Sequence, residues 1–346
     1  MDGCRFDACN FHFHDRLLRD NPPVPAGRST SKGRAQSPYR YQHHLYDKNQ
    51  PENLAFLRRM RALLDRFGAV GMGEVGGDDG PLELIAQYTS GGDKLHMAYS
   101  FVLLTKTFSA AHIRAQVEEL ERQAHSGGGW GCWAFSNHDC QRVLTRWGNG
   151  LPDPALAKVL LALLGSLRGS LCVYQGEELG LTEAEIPFER VRDPYGLAFW
   201  PEFKGRDGCR TPMPWSQAGA FAGFSQVEPW LPIPSGHQAC AVDVQVASPE
   251  SVLSFARQFF AWRRGQPALR LGEIAFHDAL EPVLMFTRHH DDQAVLFACN
   301  LGDQPVVVTL PSAGLRPMKG HGLGGAWLEG NTLRLAPHGG FFGESD

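Results

Sequence analysis

The sequence predicts an α/β protein in which strands alternate with helices, followed by an antiparallel β domain. Three observations predict it. Short apolar runs at 68–75, 130–135 and 170–174 are separated by longer stretches with helical periodicity. From about Leu269 the pattern changes to closely spaced short strands with turns between them. The chain has 346 residues and 43% hydrophobic content, enough to bury a large core and, by length, to form two domains.

Each element has its own signal. Residues 3–13 read as a strand running into a turn, because Cys4, Phe6 and Ala8 alternate with Arg5 and Asp7. Residues 20–50 form a long polar segment, of a length that in a compact domain marks function or disorder. Asn53 is read as the cap of a helix over 54–67, with Leu54, Leu57, Met60, Leu63, Leu64 and Phe67 on one side. Residues 68–75 are too short and glycine-rich for a helix. Residues 95–108 are apolar, and a helix with a charged face runs from Ser109 or Ala110 to about Ala124. Helices are also predicted over 153–167 and 249–264. Residues 175–230, dense in Gly, Pro, aromatic and charged residues, read as a long insertion. Strands follow at 273–276, 283–289, 294–300, 305–310 and 332–335.

Composition excludes several classes. A net charge of -4 gives no global attraction to nucleic acid or to an anionic membrane. No apolar run reaches the roughly 18 residues of a membrane span. Residues 151–173 come closest and are interrupted by Pro152, Asp153, Lys158 and Arg168. Asp2, Arg5, Asp7 and Asp15 break any secretory h-region. Cys4, Cys9, Cys132, Cys140, Cys172, Cys209, Cys240 and Cys299 are scattered without a C-x-x-C pair, which predicts reduced thiols in a cytoplasmic protein. His43-His44 and His289-His290 have no cysteine partners at zinc-ligand spacing, so no metal is expected.

Four segments carry chemistry: Gly3-Cys4-Arg5-Phe6-Asp7, Met72-Gly73-Glu74-Val75, Phe135-Ser136-Asn137-His138-Asp139, and Gly205-Arg206-Asp207-Gly208-Cys209-Arg210-Thr211-Pro212-Met213-Pro214-Trp215. Taken singly, the first three are weak: a G-E-V at a strand end is commonly a surface glutamate, and an N-H-D is commonly an Asx turn. The fourth is long and rich in rare residues. In this order they resemble the α-amylase superfamily of glycoside hydrolases, in its α-glucosidase and oligo-1,6-glucosidase branch. Val173-Tyr174-Gln175-Gly176-Glu177-Glu178-Leu179-Gly180 extends the resemblance.

The resemblance implies a fold and a site. The fold is the C-terminal part of a (β/α)8 TIM barrel, strands 4–8, followed by an antiparallel β-sandwich. Residues 1–268 would be the partial barrel, with inserted loops 20–50 and 175–230, and residues 269–346 the all-β domain. Retaining glycoside cleavage needs two carboxyl groups flanking the anomeric carbon, at the C-terminal ends of barrel strands. Asp7 matches the nucleophile. Arg5, on the same side of the strand, would keep it ionised. Glu74 matches the acid/base, whose apolar setting would raise its pKa. Asp139 matches the carboxylate that grips glucose hydroxyls and stabilises positive charge in the transition state. His138 would donate to the same hydroxyls, and Arg206 would close the pocket. Arg210, Glu177 and Glu178 are read as structural. Ile186-Pro187-Phe188-Glu189-Arg190 and Asp193-Pro194-Tyr195-Gly196 further suggest bacterial α-glucosidases acting on maltose or sucrose, with Glu189 near the acceptor side.

The sequence also departs from the family pattern. Cys4 replaces an aromatic or aliphatic residue, and no D-x-x-x-x-H segment precedes Asp7. The family's small domain after strand three, and the N-terminal loop that holds a metal in many members, have no counterpart. The expectation is therefore a fragment that begins at strand four, with open sheet edges and impaired activity. As an enzyme it would be a retaining α-glucosidase releasing terminal glucose from short oligosaccharides or disaccharides. The alternatives are an inactive remnant or sugar-binding half that needs the N-terminal half, and a glucosyl transferase or isomerase. No cofactor, nucleic acid or membrane partner is expected, and the oligomeric state is left open.

Overall fold

Alternation of apolar and polar residues makes residues 3–6 a strand, and parallel neighbours extend it. The computed structural model describes residues 2–25, 38–77, 80–124 and 127–344. Residues 26–37 of the expected 20–50 loop lie outside the described residues. The chain divides into two compact units. The first comprises Met1–Val102, Glu118–Cys132 and Asp193–Gly205; the second comprises Leu103–Val117, Trp133–Arg192 and Arg206–Asp346.

In the first unit, β1 (Gly3–Phe6), α1 (Glu52–Arg66), β2 (Val70–Val75), α2 (Pro81–Thr89) and β3 (Met97–Ser100) follow one another. The strands form a parallel sheet in the order β1-β2-β3. Phe6 pairs with Gly73, and Glu74 with Tyr99. Ala98 makes a further parallel bridge to Gly131. The glycines of β2 are required by close packing. A Cβ at Gly71 would lie 2.7 Å from the Leu64 side chain, and one at Gly73 would lie 2.5 Å from Leu95 and 2.8 Å from the Cys9 sulfur.

Two expectations for α1 need correction. Pro51, not Asn53, is the N-cap, and no side chain caps the helix. Asn53 is fully buried, and its amide donates to the Cys9 carbonyl at 2.9 Å and to the Tyr88 hydroxyl at 3.0 Å. A buried amide needs partners, and these bonds decide its orientation. Leu57 and Leu64 are buried, but Leu63 and Phe67 are exposed. The six apolar residues cover a wider arc than the buried face. α2 escaped the sequence reading. It starts after Gly80, in a left-handed conformation (φ +58°), with Pro81 in the first turn. α3 (Ala110–Ala124) lies where expected and carries residues of both units.

β4 (Cys132–Trp133) and β5 (Ser170–Leu171) are shorter than their apolar runs. Within the second unit, the Cys172 N–H donates to the Trp133 carbonyl at 2.8 Å. α4 (Val143–Trp147) precedes α5 (Pro154–Ser166), whose N-cap Asp153 accepts from the N–H groups of Ala155 and Leu156. α5 is buried around most of its circumference and packs on the helix Val252–Arg264, capped by Ser251. A Cβ on Gly165 would come within 2.6 Å of the Phe259 ring, so glycine sets this close approach.

The C-terminal strands are β6 (Glu273–Phe276), β7 (Val283–His290), β8 (Gln293–Asn300), β9 (Val306–Thr309), β10 (Arg316–Pro317), β11 (Ala326–Glu329), β12 (Thr332–Leu335) and β13 (Gly340–Glu344). They form two antiparallel sheets, ordered β10-β13-β8-β7-β6 and β11-β12-β9. Val283, Met285, Leu296, Ala298 and Phe341 of the first sheet share a core with Leu333 and Leu335 of the second. This is the expected antiparallel β region. Arg288 of β7 is fully buried. Its guanidinium donates to the carbonyls of Ser166 (2.7 Å), Gly272 (2.7 Å) and Leu269 (3.2 Å), and so ties β7 to the ends of two helices. Among the described residues, no helix is long and apolar enough to cross a membrane.

Candidate active site

The first unit brings Arg5, Asp7 and Glu74 together. Asp7 stands just past the end of β1, and Glu74 lies near the end of β2. Arg5 donates to the Glu74 carboxylate at 2.6 Å and stands 3.1 Å from the Asp7 carboxylate. Tyr99, paired with Glu74 across the β2–β3 register, accepts from Arg5 at 3.1 Å and donates to Glu74 at 3.2 Å. The chain then turns through Ala8, a non-glycine residue at φ +41°, whose N–H donates to Glu74 at 3.3 Å.

The two carboxyls sit in different environments. Glu74 is 4% exposed, whereas the Asp7 side chain is 78% exposed. Burial raises the Glu74 carboxyl, and a hydrogen bond with Asp7 adds to the rise. The positive charge of Arg5 opposes it, and the net position is about 7. Such a pair combines a proton donor near neutrality with an exposed carboxylate.

The second unit gathers His138, Asp139 and Arg206. The Asp139 N–H donates to the Asn137 side chain at 2.9 Å, an Asx-type turn that aims the Asp139 carboxylate. Arg206 donates to that carboxylate at 2.8 Å, and the His138 ring lies 3.4 Å from its other oxygen. Arg210 also donates to Asp139, at 3.0 Å, and to the His138 carbonyl at 2.7 Å. Both guanidiniums thus hold one Asp139 carboxylate oxygen, and His138 lies beside the other.

Behind this cluster lies a buried layer. Arg142 is 2% exposed. Its guanidinium donates to the carbonyls of Gln175 (2.8 Å) and Cys209 (3.0 Å), and its N–H donates to Glu183 at 2.8 Å. Burial pushes both the Glu183 and Glu177 carboxyls up to about 7. Glu177 accepts from the Tyr174 N–H at 2.9 Å, in keeping with its expected structural role.

The six sequence-predicted residues thus form two groups of three, one in each unit. Tyr99 was missed because it looked like one more aromatic in the apolar run 95–108. Only its register opposite Glu74 marks it. Arg210, read as structural, holds the Asp139 carboxylate and the His138 carbonyl. Its spacing of four from Arg206 was the available signal. Among the described residues, no group of three or more His, Cys, Asp or Glu side chains is placed to hold a metal ion.

Known proteins share this arrangement of elements. A family model described as "Alpha amylase, catalytic domain" matches residues 1–272. A probable α-glucosidase of Rhizobium meliloti is 48% identical over 99% of this chain and 62% of its own length. An oligo-1,6-glucosidase of Heyndrickxia coagulans is 28% identical over 77% of this chain and 54% of its own length. Among solved structures, an α-glucosyl transfer enzyme, XgtA, is 50% identical, with a TM-score of 0.94 over all of this chain and 64% of its own. The trehalulose synthase MutB of Pseudomonas mesoacidophila, 22% identical with a TM-score of 0.80, shares the fold. The chain therefore spans less than two thirds of the length of these relatives. On the family match and the 48% identity, this chain belongs to the α-amylase family.

Proposed function

We propose that the chain carries the two-carboxylate centre of a retaining α-glucosidase acting on terminal α-linked glucose in short oligosaccharides or disaccharides of the maltose or sucrose type. The convergence of the Asp7 and Glu74 carboxyls on the Arg5 guanidinium supports this reading above all. Inverting enzymes keep their carboxyls about 6.5–9.5 Å apart to admit a water, whereas retaining enzymes hold them about 5–5.5 Å apart. Asp7 and Glu74 both reach one guanidinium, that of Arg5, at 3.1 and 2.6 Å, which favours the closer of these two arrangements.

In the proposed reaction Asp7 attacks the anomeric carbon and forms a glycosyl ester, while Glu74 gives its proton to the departing oxygen. Glu74 then takes a proton from water, which opens the ester. Arg5 and Tyr99 hold the pair in place. In the second unit, Asp139, held by Arg206 and Arg210 and flanked by His138, is the carboxylate proposed to bind glucose hydroxyls. Nucleophile and proton both come from side chains, so the proposed reaction needs no cofactor. The proposed division into a catalytic part, 1–268, and a β domain, 269–346, is supported by a family match that ends at residue 272. The proposed compartment is the cytoplasm, on the cysteine spacing.

A second reading, glucosyl transfer, is favoured by the 50% identity to an α-glucosyl transfer enzyme. The two differ in whether water or a sugar opens the ester. The test is turnover of 4-nitrophenyl α-glucoside, then product analysis with maltose or sucrose. Glucose alone supports hydrolysis, and new oligosaccharides support transfer. Absence of turnover that Asp7→Asn would abolish overturns both for this chain.

A further inference from the structure

Arg142 follows Asp139 by three residues and is one of the largest fully buried side chains of the second unit. It sits between the two segments that meet at Asp139. One guanidinium nitrogen holds the Gln175 carbonyl and the other holds the Cys209 carbonyl, next to Arg210. The Tyr174 hydroxyl donates to the same Cys209 carbonyl at 2.9 Å, and the guanidinium lies 5.2 Å from the Tyr174 ring centre. At the other end of Arg142, its backbone N–H is held by Glu183. The site is cleared for these groups by glycines. A Cβ on Gly176 would lie 2.6 Å from the Arg142 guanidinium, and one on Gly208 would lie 2.5 Å from the Ala184 carbonyl oxygen.

We infer that Arg142, assisted by Tyr174, is a positioning residue for the Asp139 cluster. It sets the distance between the turn bearing His138 and Asp139 and the segment bearing Arg206 and Arg210. The physical reason is leverage. The Cys209 carbonyl adjoins Arg210, so a shift there moves the guanidinium that grips Asp139. A displacement of about 1 Å at a reacting centre can cost on the order of 100-fold in rate. This inference deepens the proposed function and, for its catalytic consequence, rests on that reading. The placement itself does not.

The test uses the full chain with Arg142→Lys and, because a buried arginine variant can fail to fold, the near-isosteric Tyr174→Phe. Amide hydrogen exchange is read on peptides covering 137–142 and 206–210, with 252–264 and 283–300 as internal references. The expected result is at least about tenfold faster exchange confined to the first two segments. In an active preparation kcat should fall more than KM rises, and the loss should be smaller in Tyr174→Phe than in Arg142→Lys. Unchanged exchange at 206–210 overturns the inference. Equal acceleration in the reference peptides also overturns it, because Arg142 would then support the fold as a whole. Wild-type protein without turnover overturns the proposed function instead, and the exchange comparison still decides the placement.

Discussion

Arg5 donates to Glu74 at 2.6 Å between two neighbouring parallel strands, so one guanidinium touches the buried carboxyl while also standing 3.1 Å from Asp7. The arrangement opposes two effects on Glu74. Burial and the bond with Asp7 favour the protonated form, and Arg5 favours the charged form.

The first prediction concerns pH. A general acid must be protonated, so kcat/KM should decline as pH rises through about 7, the position of Glu74. Glu74→Gln should lower kcat by about 100- to 10,000-fold and abolish that limb. A rate profile from pH 5 to 9 checks it. An alkaline limb that persists in Glu74→Gln would assign it to another group.

Stability should follow the same direction. Glu74 is raised from its ordinary value of 4.5 to about 7, and Glu177 and Glu183 are raised likewise. A carboxyl raised in the folded state contributes stability fully below about 4.5, and that contribution is lost as pH rises through about 7. For these groups, Tm should be lower at pH 8 than at pH 6, and Glu183→Gln should flatten the slope. Differential scanning calorimetry in both buffers reads it.

Replacing Arg5 separates its two effects. Arg5→Met removes the charge that lowers the Glu74 pKa, so the alkaline limb should move to higher pH. Lost charge-assisted hydrogen bonds of about 1.5–3 kcal/mol should also cost roughly 10- to 100-fold in kcat/KM. A limb that moves to lower pH would contradict the charge argument.

Asp139→Asn keeps the side-chain shape but weakens both arginine contacts. On the same scale of about 1.5–3 kcal/mol, kcat/KM should fall roughly 10- to 100-fold. Isothermal titration with glucose should show weaker binding. Unaltered binding would show that this carboxylate does not face the sugar.

Arg288→Met tests the second unit's fold. It leaves the carbonyls of Ser166 and Gly272 without the Arg288 donor, while Leu269 keeps its bond from Arg263. At about 1–3 kcal/mol per unsatisfied buried group, unfolding in urea should move to clearly lower denaturant. An unchanged midpoint would mean that water replaces the guanidinium.

Much of this was legible in sequence because it is local. The helix at Ala110–Ala124 carries a periodic face, and that at Pro154–Ser166 is a long apolar run with Asp153 where a cap belongs. The strands Glu273–Phe276 and Thr332–Leu335 fall on their expected residues. α2 was not legible, because Gly80 and Pro81 read as loop residues until their backbone conformation is seen. Asn53 looks like a cap in sequence, and the Cys9 carbonyl and Tyr88 hydroxyl, 44 and 35 residues away, decide otherwise.

The sequence by itself determined the family and the identity of six candidate residues, because their motifs are contiguous and occur in a specific order. Tertiary structure alone decided which side chains support them. Tyr99 meets Arg5 across 94 residues, Arg210 meets Asp139 across 71, and Arg142 meets Cys209 across 67. Periodicity and motif spacing report neighbours within a turn or a strand. A hydrogen bond between distant segments depends on strand register and helix packing, which emerge only when the chain is folded.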